Sequence, residues 1–151
     1  MSILIDADTT FIGQGITGRE AVNLTRECLD YGAGAKVVGG VTPGRKGREV
    51  HGVPVFDTVA QAVEHHGGPI TGSVVTVPPA FTKDAVLEAV ENGIELVVIV
   101  TERIPRRDVA EMVELASLRG ARIIGPNCLG IIVPDVIKMG GIGGPAKDAA
   151  K

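Results

Sequence analysis

The segment Phe11-Ile12-Gly13-Gln14-Gly15-Ile16-Thr17-Gly18 constrains this chain more than any other, because it closes an apolar run and opens a helical pattern. Gly13, Gly15 and Gly18 have the G-x-G-x-x-G spacing in that context. The context suits a strand, a tight turn and a helix N-terminus whose free N–H groups can receive phosphate. A dinucleotide fold then places an acidic residue at the end of its second strand, to hold a ribose hydroxyl. Here the second strand reads Lys36-Val37-Val38-Gly39-Gly40-Val41 and runs into Thr42-Pro43-Gly44-Arg45-Lys46-Gly47-Arg48. Three cations stand where the carboxylate is expected. A phosphorylated nucleotide fits this better than NAD does, and coenzyme A and NADP both carry such a phosphate on the adenosine ribose.

Beyond that segment, short apolar runs alternate with amphipathic ones. Phe11 to Gly13 reads as the first strand, with Ile3-Leu4-Ile5 expected to pack beside it. Gly18 to Tyr31 reads as a helix with Ala21, Leu24, Cys28 and Leu29 on one stripe. Gly52 to Phe56 is a short extended piece, and Thr58 is placed to cap a helix whose inner face is Val59, Ala62 and Val63. Ser73 to Val77 is a strand, ended by Pro78-Pro79. Phe81 to Asn92 is a helix with Ala85, Val86, Ala89 and Val90 inward. Leu96 to Val100 is apolar throughout, as central parallel strands are. Asp108 to Arg119 is a helix with Val109, Met112, Val113 and Ala116 inward, and Arg122 to Gly125 is the last clear strand. The pattern specifies an α/β fold: a Rossmann-like, doubly wound parallel sheet in one domain over residues 1–134. Residues 135–151 form a tail rich in Gly, Ala and Lys, to which the pattern gives no structure.

Composition narrows the function classes. The chain of 151 residues has 44% hydrophobic residues but no Trp, so its core must come from Val, Ile, Leu and Ala. A net charge of −3 gives no overall pull towards nucleic acid or an anionic membrane, so the basic cluster at Arg45, Lys46 and Arg48 stands out against its background. Met1-Ser2-Ile3-Leu4-Ile5-Asp6 lacks the basic start and long apolar core of a signal peptide, and a cytoplasmic location is expected. Cys28 and Cys128 have neither disulfide-framework nor metal-ligand spacing, so no metal site is expected.

Ligands of doubly wound sheets bind beyond the carboxyl ends of the strands. Those ends are Gln14 to Glu20, Thr42 to Arg48, Val77 to Lys83, Thr101 to Arg103 and Pro126 to Gly130. All are polar, Gly-rich or Pro-rich, and several are basic. His51 lies in the basic loop and His65-His66 closes a helix; neither arrangement suggests a catalytic group. Cys128 has no neighbouring His or CxxC partner and is expected to be buried and inert.

Taken together, these motifs carry a specific resemblance. Gln14-Gly15-Ile16-Thr17-Gly18, Val38-Gly39-Gly40-Val41-Thr42-Pro43-Gly44, Gly52-Val53-Pro54-Val55-Phe56, Thr101-Glu102 with Ile104-Pro105, and Gly125-Pro126-Asn127-Cys128 resemble the α subunit of succinyl-CoA synthetase, in order and in gaps. The likeness begins at Met1-Ser2-Ile3-Leu4-Ile5-Asp6 and extends to about Pro134. In that family the segment is an N-terminal CoA-binding domain. The enzyme makes an acyl-CoA from an acid, CoA and a nucleoside triphosphate through an acyl phosphate and a phosphorylated histidine.

The resemblance implies roles position by position. Gly15, Thr17, Gly18, Arg19 and Glu20 fall on the loop that holds the CoA phosphates. Arg45 falls where the family usually has a phosphate-binding Lys, a change that keeps the charge and adds a fork of donors. Val77, Pro78 and Pro79, with Phe81 and Lys83, match the loop beside the adenosine, and Val100, Thr101 and Glu102 match a second stretch of the CoA site. Asn127 and Cys128 match the turn near the thiol end of the cofactor.

Two departures stand out: Arg103 where the family has Gly, and Leu129 where it has Pro. After Pro134 the sequence drifts, and the family's second domain, which carries the phosphorylated His, does not follow. No catalytic residue is therefore assigned. The resemblance implies one component of a split acid–CoA ligase, bound to CoA or acyl-CoA and completed by other subunits; a truncated chain would end in the same way. A stand-alone CoA-binding or sensing protein and an NADP-binding oxidoreductase domain are the alternatives.

Overall fold

The structure, a computed structural model, describes residues 3–32 and 37–144. The expected strand start at Lys36 and the tail residues 145–151 lie outside them. In chain order the elements are β1 (Phe11–Gln14), α1 (Arg19–Leu29), β2 (Val37–Val41), β3 (Glu49–Val50), β4 (Val53–Phe56), α2 (Val59–His66), β5 (Gly72–Val75) and α3 (Pro79–Glu91). There follow β6 (Leu96–Ile99), α4 (Arg106–Leu118), β7 (Arg122–Ile124), β8 (Gly130–Val133) and β9 (Ile137–Gly140).

Seven strands form one sheet in the order β3-β4-β2-β1-β5-β6-β7. All neighbours are parallel except β3, a two-residue edge strand hairpinned against β4. The chain winds outward from β1 in one direction, then returns and winds outward from β5 in the other. The strand order therefore reverses between β1 and β5, where a Rossmann-like sheet opens its ligand crevice.

The side-chain alternation divides the core into two layers. Ile12, Val75, Val97 and Ile99 face one side, where they meet Val59 and Ala62 of α2, Val86, Ala89 and Val90 of α3, and Met112 of α4. Phe11, Val37, Val74 and Val98 face the other side, with Cys28 of α1 and Ile137 and Met139 of β9. The antiparallel β8–β9 hairpin thus helps cover the face carrying α1.

Several local expectations change. β9 is buried along its whole length, in a segment to which the sequence pattern gives no structure. Its Gly-rich flanks hide the signal, because the burial comes from docking on α1 rather than from an apolar alternation of its own. Ile3 is exposed while Ile5 joins the core, so only part of the N-terminal run packs as expected. Val113 is half exposed, leaving Met112 and Ala116 as the buried side chains of α4. Thr25, not Leu24, is buried in α1; its hydroxyl donates to the Ala21 carbonyl, which satisfies it internally. α3 starts at Pro79, where the fixed ring φ and missing N–H suit a first helical turn.

Candidate functional site

A cleft of about 620 Å³ opens where β1 and β5 part, within the size range of small-molecule sites. Its floor and walls come from Gln14, Gly15, Thr17 and Gly18 after β1, Val41, Thr42 and Pro43 after β2, and Thr76, Val77, Pro78 and Phe81 after β5. Asp84, Ala85 and Glu88 of α3 complete one side.

The glycine fingerprint shapes the first loop. Gly15 has φ +84° and lies so close to β5 that a Cβ would sit 3.0 Å from the Val77 backbone nitrogen. Only glycine meets both conditions without strain. Gly18 is the N-cap of α1; no side chain closes that end, so the helix presents free N–H groups and the positive end of its dipole beside the cleft. The hydroxyls of Thr17 and Thr42 lie 3.2 Å apart and join this loop to the end of β2. Arg19 and Glu20 are exposed in the first turn of α1.

The α2 N-terminus is different. Thr58 accepts from the Gln61 N–H at 3.2 Å and Glu88 Oε1 accepts from the Val59 N–H at 2.8 Å, so protein groups already occupy it. The basic loop after β2 is exposed from Pro43 to Glu49. Among the described residues, neither Arg45, Lys46 nor Arg48 enters an ion pair.

The remaining sequence-predicted residues surround the cleft or stand apart from it. Val77, Pro78 and Phe81 line it, and Phe81 is 62% exposed at its edge. Pro79 opens α3 next to them. Thr101 Oγ1 donates to the Val77 carbonyl at 2.7 Å, linking the β6 and β5 ends. Val100 packs on the second core layer, and its N–H bonds Val75 O at 3.0 Å. Asn127, at φ +56°, donates its N–H to Thr101 O at 3.0 Å, while Cys128, whose N–H bonds Ile99 O at 3.2 Å, is partly exposed rather than buried as expected, because it lies in the turn after β7. Val100, Thr101, Asn127 and Cys128 belong to the same carboxyl edge, but they do not line the cleft.

Lys83 does not line it either. Its ammonium donates to Glu111 at 2.9 Å and lies 3.6 Å from Asp108. The Glu111 hydrogen bond raises the Lys83 pKa and the same bond lowers that of Glu111, so the charged pair clamps α3 to α4. Glu102 is exposed, 3.9 Å from Arg103. Arg103 sits at φ +60°, in the left-handed region that glycine occupies freely, and Leu129 is exposed. Those are the two departures from the family pattern.

Eight cleft-lining residues carry no role from the sequence: Val41, Thr42, Pro43, Thr76 and Ala85, and three polar ones of the β1 end and α3, Gln14, Asp84 and Glu88. Gln14 is buried; its amide donates to Ala85 O at 2.7 Å and its carbonyl accepts from Ser73 at 2.7 Å. A polar residue closing an apolar strand was the available signal. Glu88 and Asp84 are three and four residues apart from other cleft positions of α3, a helical spacing legible once the helix is known to border the cleft. The histidines lie elsewhere: His51 Nε2 is 3.0 Å from Val22 O, and the His65 ring lies 5.0 Å from that of Phe56.

The strand order and this cleft define a Rossmann-like nucleotide-binding domain. Residues 6–103 match the CoA binding domain family, and the chain belongs to that family. Its ligand is accordingly coenzyme A, which selects between the two phosphorylated nucleotides that the cations admitted. The chain is 44% identical over 142 residues to the succinate–CoA ligase [ADP-forming] subunit alpha of Aquifex aeolicus, a match covering 93% of this chain and 45% of that protein. The corresponding subunit of Staphylococcus aureus strain Mu50 is also 44% identical, over 140 residues, with the same shares covered. The chain thus spans about half the length of the curated relatives it matches. An ATP citrate lyase from Methanothrix soehngenii, solved with citrate and coenzyme A, shares the fold at a TM-score of 0.83 and 18% identity, over 97% of this chain and 25% of that one. The dinucleotide-forming acetyl-coenzyme A synthetase 1 of Ca. Korarchaeum cryptofilum aligns at a TM-score of 0.65 and 19% identity, over 82% of this chain and 27% of that one. No helix among the described residues is long and apolar enough to cross a membrane.

Proposed function

We propose that the cleft at the β1–β5 switch point holds the nucleotide portion of CoA or an acyl-CoA, and that the chain is the CoA-binding component of an NTP-dependent acid–CoA ligase. The observation that carries this reading is the α1 N-terminus at the glycine turn; α3 and α4 also lack a side-chain cap, but only α1 joins its open end to that turn. The α1 N-terminus has no side-chain cap and adjoins the cleft, whereas Thr58 and Glu88 close the α2 N-terminus. An uncapped N-terminus beside a glycine turn suits a pyrophosphate, and the exposed cations of the Thr42–Arg48 loop suit a further phosphate.

In this reading Gly15, Thr17, Gly18, Arg19 and Glu20 form the pyrophosphate loop, and Arg45 binds the ribose phosphate. Val77, Pro78, Pro79 and Phe81 offer an apolar surface for the adenosine. Lys83 contributes by clamping α3 through Glu111. Val100, Thr101 and Glu102 form a second stretch of the CoA site, and Asn127 and Cys128 lie near the thiol end of the cofactor. Coenzyme A would supply the thiol that accepts the acyl group; the residues here bind and orient it.

Calorimetry with CoA and dephospho-CoA tests both halves of the site. CoA is expected to bind more tightly, and Arg45→Ala should remove most of that difference while sparing dephospho-CoA. Equal affinities in the wild type would remove the phosphate role of the basic loop, and no binding of either ligand would remove the reading. NADPH fluorescence should show no binding that CoA reverses.

The rest of the ligase reaction needs groups from additional protein. The relatives are ligase subunits of which this chain matches 45%, and no His lines the cleft. Incubated alone with succinate, CoA, Mg²⁺ and ATP or GTP, the chain should form no acyl-CoA and no phosphoprotein. Phosphorylation of His51, His65 or His66 during such turnover would overturn the assignment. Co-purification with nucleotide-binding ligase subunits from the source cell would support the partner proposal, and their absence would favour a stand-alone CoA-binding protein.

A further inference from the structure

The β2 end lacks the ribose-binding carboxylate of NAD folds, yet an acid reaches the same loop from another strand. Asp57 follows β4 and is only partly exposed. Its Oδ1 accepts the backbone N–H groups of both Arg45 and Lys46, each at 3.1 Å. Its own N–H donates to Gln61 Oε1 at 3.1 Å, in the first turn of α2. Successive backbone N–H groups that converge on one point form an anion-binding concavity. Here the protein fills that concavity with its own carboxylate.

The rest of the loop is closed around this contact. Arg45 N–H also reaches Thr42 O at 3.1 Å, Arg48 N–H bonds Arg45 O at 3.2 Å, and Gly47 N–H bonds Val55 O at 3.2 Å. Gly44 and Gly47, at φ +76° and +88°, make the two reversals. The loop's backbone donors are thus largely consumed internally, while the side chains of Arg45, Lys46 and Arg48 remain exposed and outside any ion pair among the described residues.

We infer that Asp57 is the positioning residue for phosphate selectivity: it anchors the Arg45–Lys46 backbone so that the loop's cationic side chains meet the ribose phosphate of CoA in a preset arrangement. This rests on the CoA reading given above. A carboxylate in a basic loop weakens anion binding through its charge, so it must act through placement of its oxygen. Charge and placement are separable. Asp57→Asn keeps the accepting Oδ1 and removes the charge, whereas Asp57→Glu keeps the charge and moves the oxygen by one methylene.

The experiment is calorimetry of the wild type and both variants with CoA and with dephospho-CoA, after a thermal melt has confirmed folding. The isosteric Asp57→Asn should keep the wild-type affinity ratio or raise it. Asp57→Glu should lower that ratio roughly three- to tenfold, the loss of about one well-placed hydrogen bond, with dephospho-CoA affinity unchanged. A wild-type ratio in Asp57→Glu, or a lowered one in Asp57→Asn, would overturn the inference. Equal weakening of both ligands would also overturn it, by making Asp57 a ribose or general structural group. A wild type that fails to distinguish the ligands, or binds neither, would instead sink the parent reading.

Discussion

Ser73 Oγ donates to Gln14 Oε1 at 2.7 Å between adjacent strands β5 and β1, with both side chains buried beneath the cleft. Gln14 passes the connection on, since its Nε2 donates to Ala85 O of α3 at 2.7 Å. One side chain therefore ties the two switch-point strands to the helix that walls the cleft. Replacing Gln14 with Leu leaves the Ser73 hydroxyl without that acceptor in a buried place. The expected cost is about 1–3 kcal/mol in urea unfolding, because a stranded buried polar group costs more than a lost bond between solvated ones. The Ser73→Ala/Gln14→Leu double variant should recover part of the loss. Additive losses would show that the bond is not coupled.

How much of this was legible in the sequence follows from what each signal measures. Strand–helix alternation reports burial imposed by periodicity, so β1, β2, β5, β6 and the helices were readable, as were the Thr58 cap and the glycine turn at Gly15. The β8–β9 hairpin was not, because its burial depends on α1, far away in the chain. Lys138 is the sharpest example: a lysine in a Gly-rich stretch reads as solvated, yet it is fully buried. At the site, the local loop chemistry was visible around Gly18 and Arg45. The partner that holds the basic loop, Asp57, was not, because it comes from β4 and the strand order that brings it there is a long-range property. The Lys83–Glu111 pair was hidden for the same reason.

Gly40 predicts a steric cost. It lies on β2 opposite Ile16, and a Cβ there would stand 2.6 Å from Ile16 Cδ1 and 2.9 Å from its Cβ. Ile16 is buried and cannot swing into solvent without leaving the core. Gly40→Ala should destabilise by about 1–3 kcal/mol, the usual range for an overpacked core. Because Ile16 belongs to the turn before α1, CoA affinity should fall as well. Adding Ile16→Ala, which removes both the Cγ2 and Cδ1 atoms in the way, should restore part of the CoA affinity. A Gly40→Ala protein with wild-type unfolding midpoint and wild-type CoA affinity would contradict the packing argument.

Lys138 and Glu27 predict an asymmetry. The buried ammonium lies 3.2 Å from Glu27 Oε2 and also donates to the Gly144 carbonyl, so the pair pins β9 to α1. Glu27 keeps about a quarter of its side chain exposed, which tempers the interaction. Removing its charge leaves the ammonium buried without a counter-ion, whereas removing the ammonium leaves a carboxylate that can reach water. Glu27→Gln should therefore cost about 1–3 kcal/mol, and Lys138→Met less, since apolar replacement of a buried ion is often close to neutral. Denaturant titration of the two single variants and the double gives the comparison. Equal costs for the single variants would show that desolvation of Lys138 does not govern the pair.

Cys28 predicts how stability depends on alkaline pH. Its thiol is buried under β9 and donates to the Gly140 carbonyl at 3.5 Å. Burial pushes its pKa up to about 11 from an ordinary value of 9.0. In this range the folded state holds the proton that the unfolded chain releases, so unfolding becomes more favourable as pH rises. The contribution is intact below pH 9 and is lost progressively between about 9 and 11, with a slope approaching ~1.4 kcal/mol per pH unit for one proton. Cys28→Ala changes the packing by a pH-independent amount but removes this slope, so the difference between the two stability curves isolates the thiol. The same burial should make Cys28 slow to alkylate with iodoacetamide at pH 8, when the partly exposed Cys128 reacts first. Parallel stability curves for wild type and Cys28→Ala between pH 9 and 11 would disprove the assignment, as would labelling of Cys28 as fast as that of Cys128.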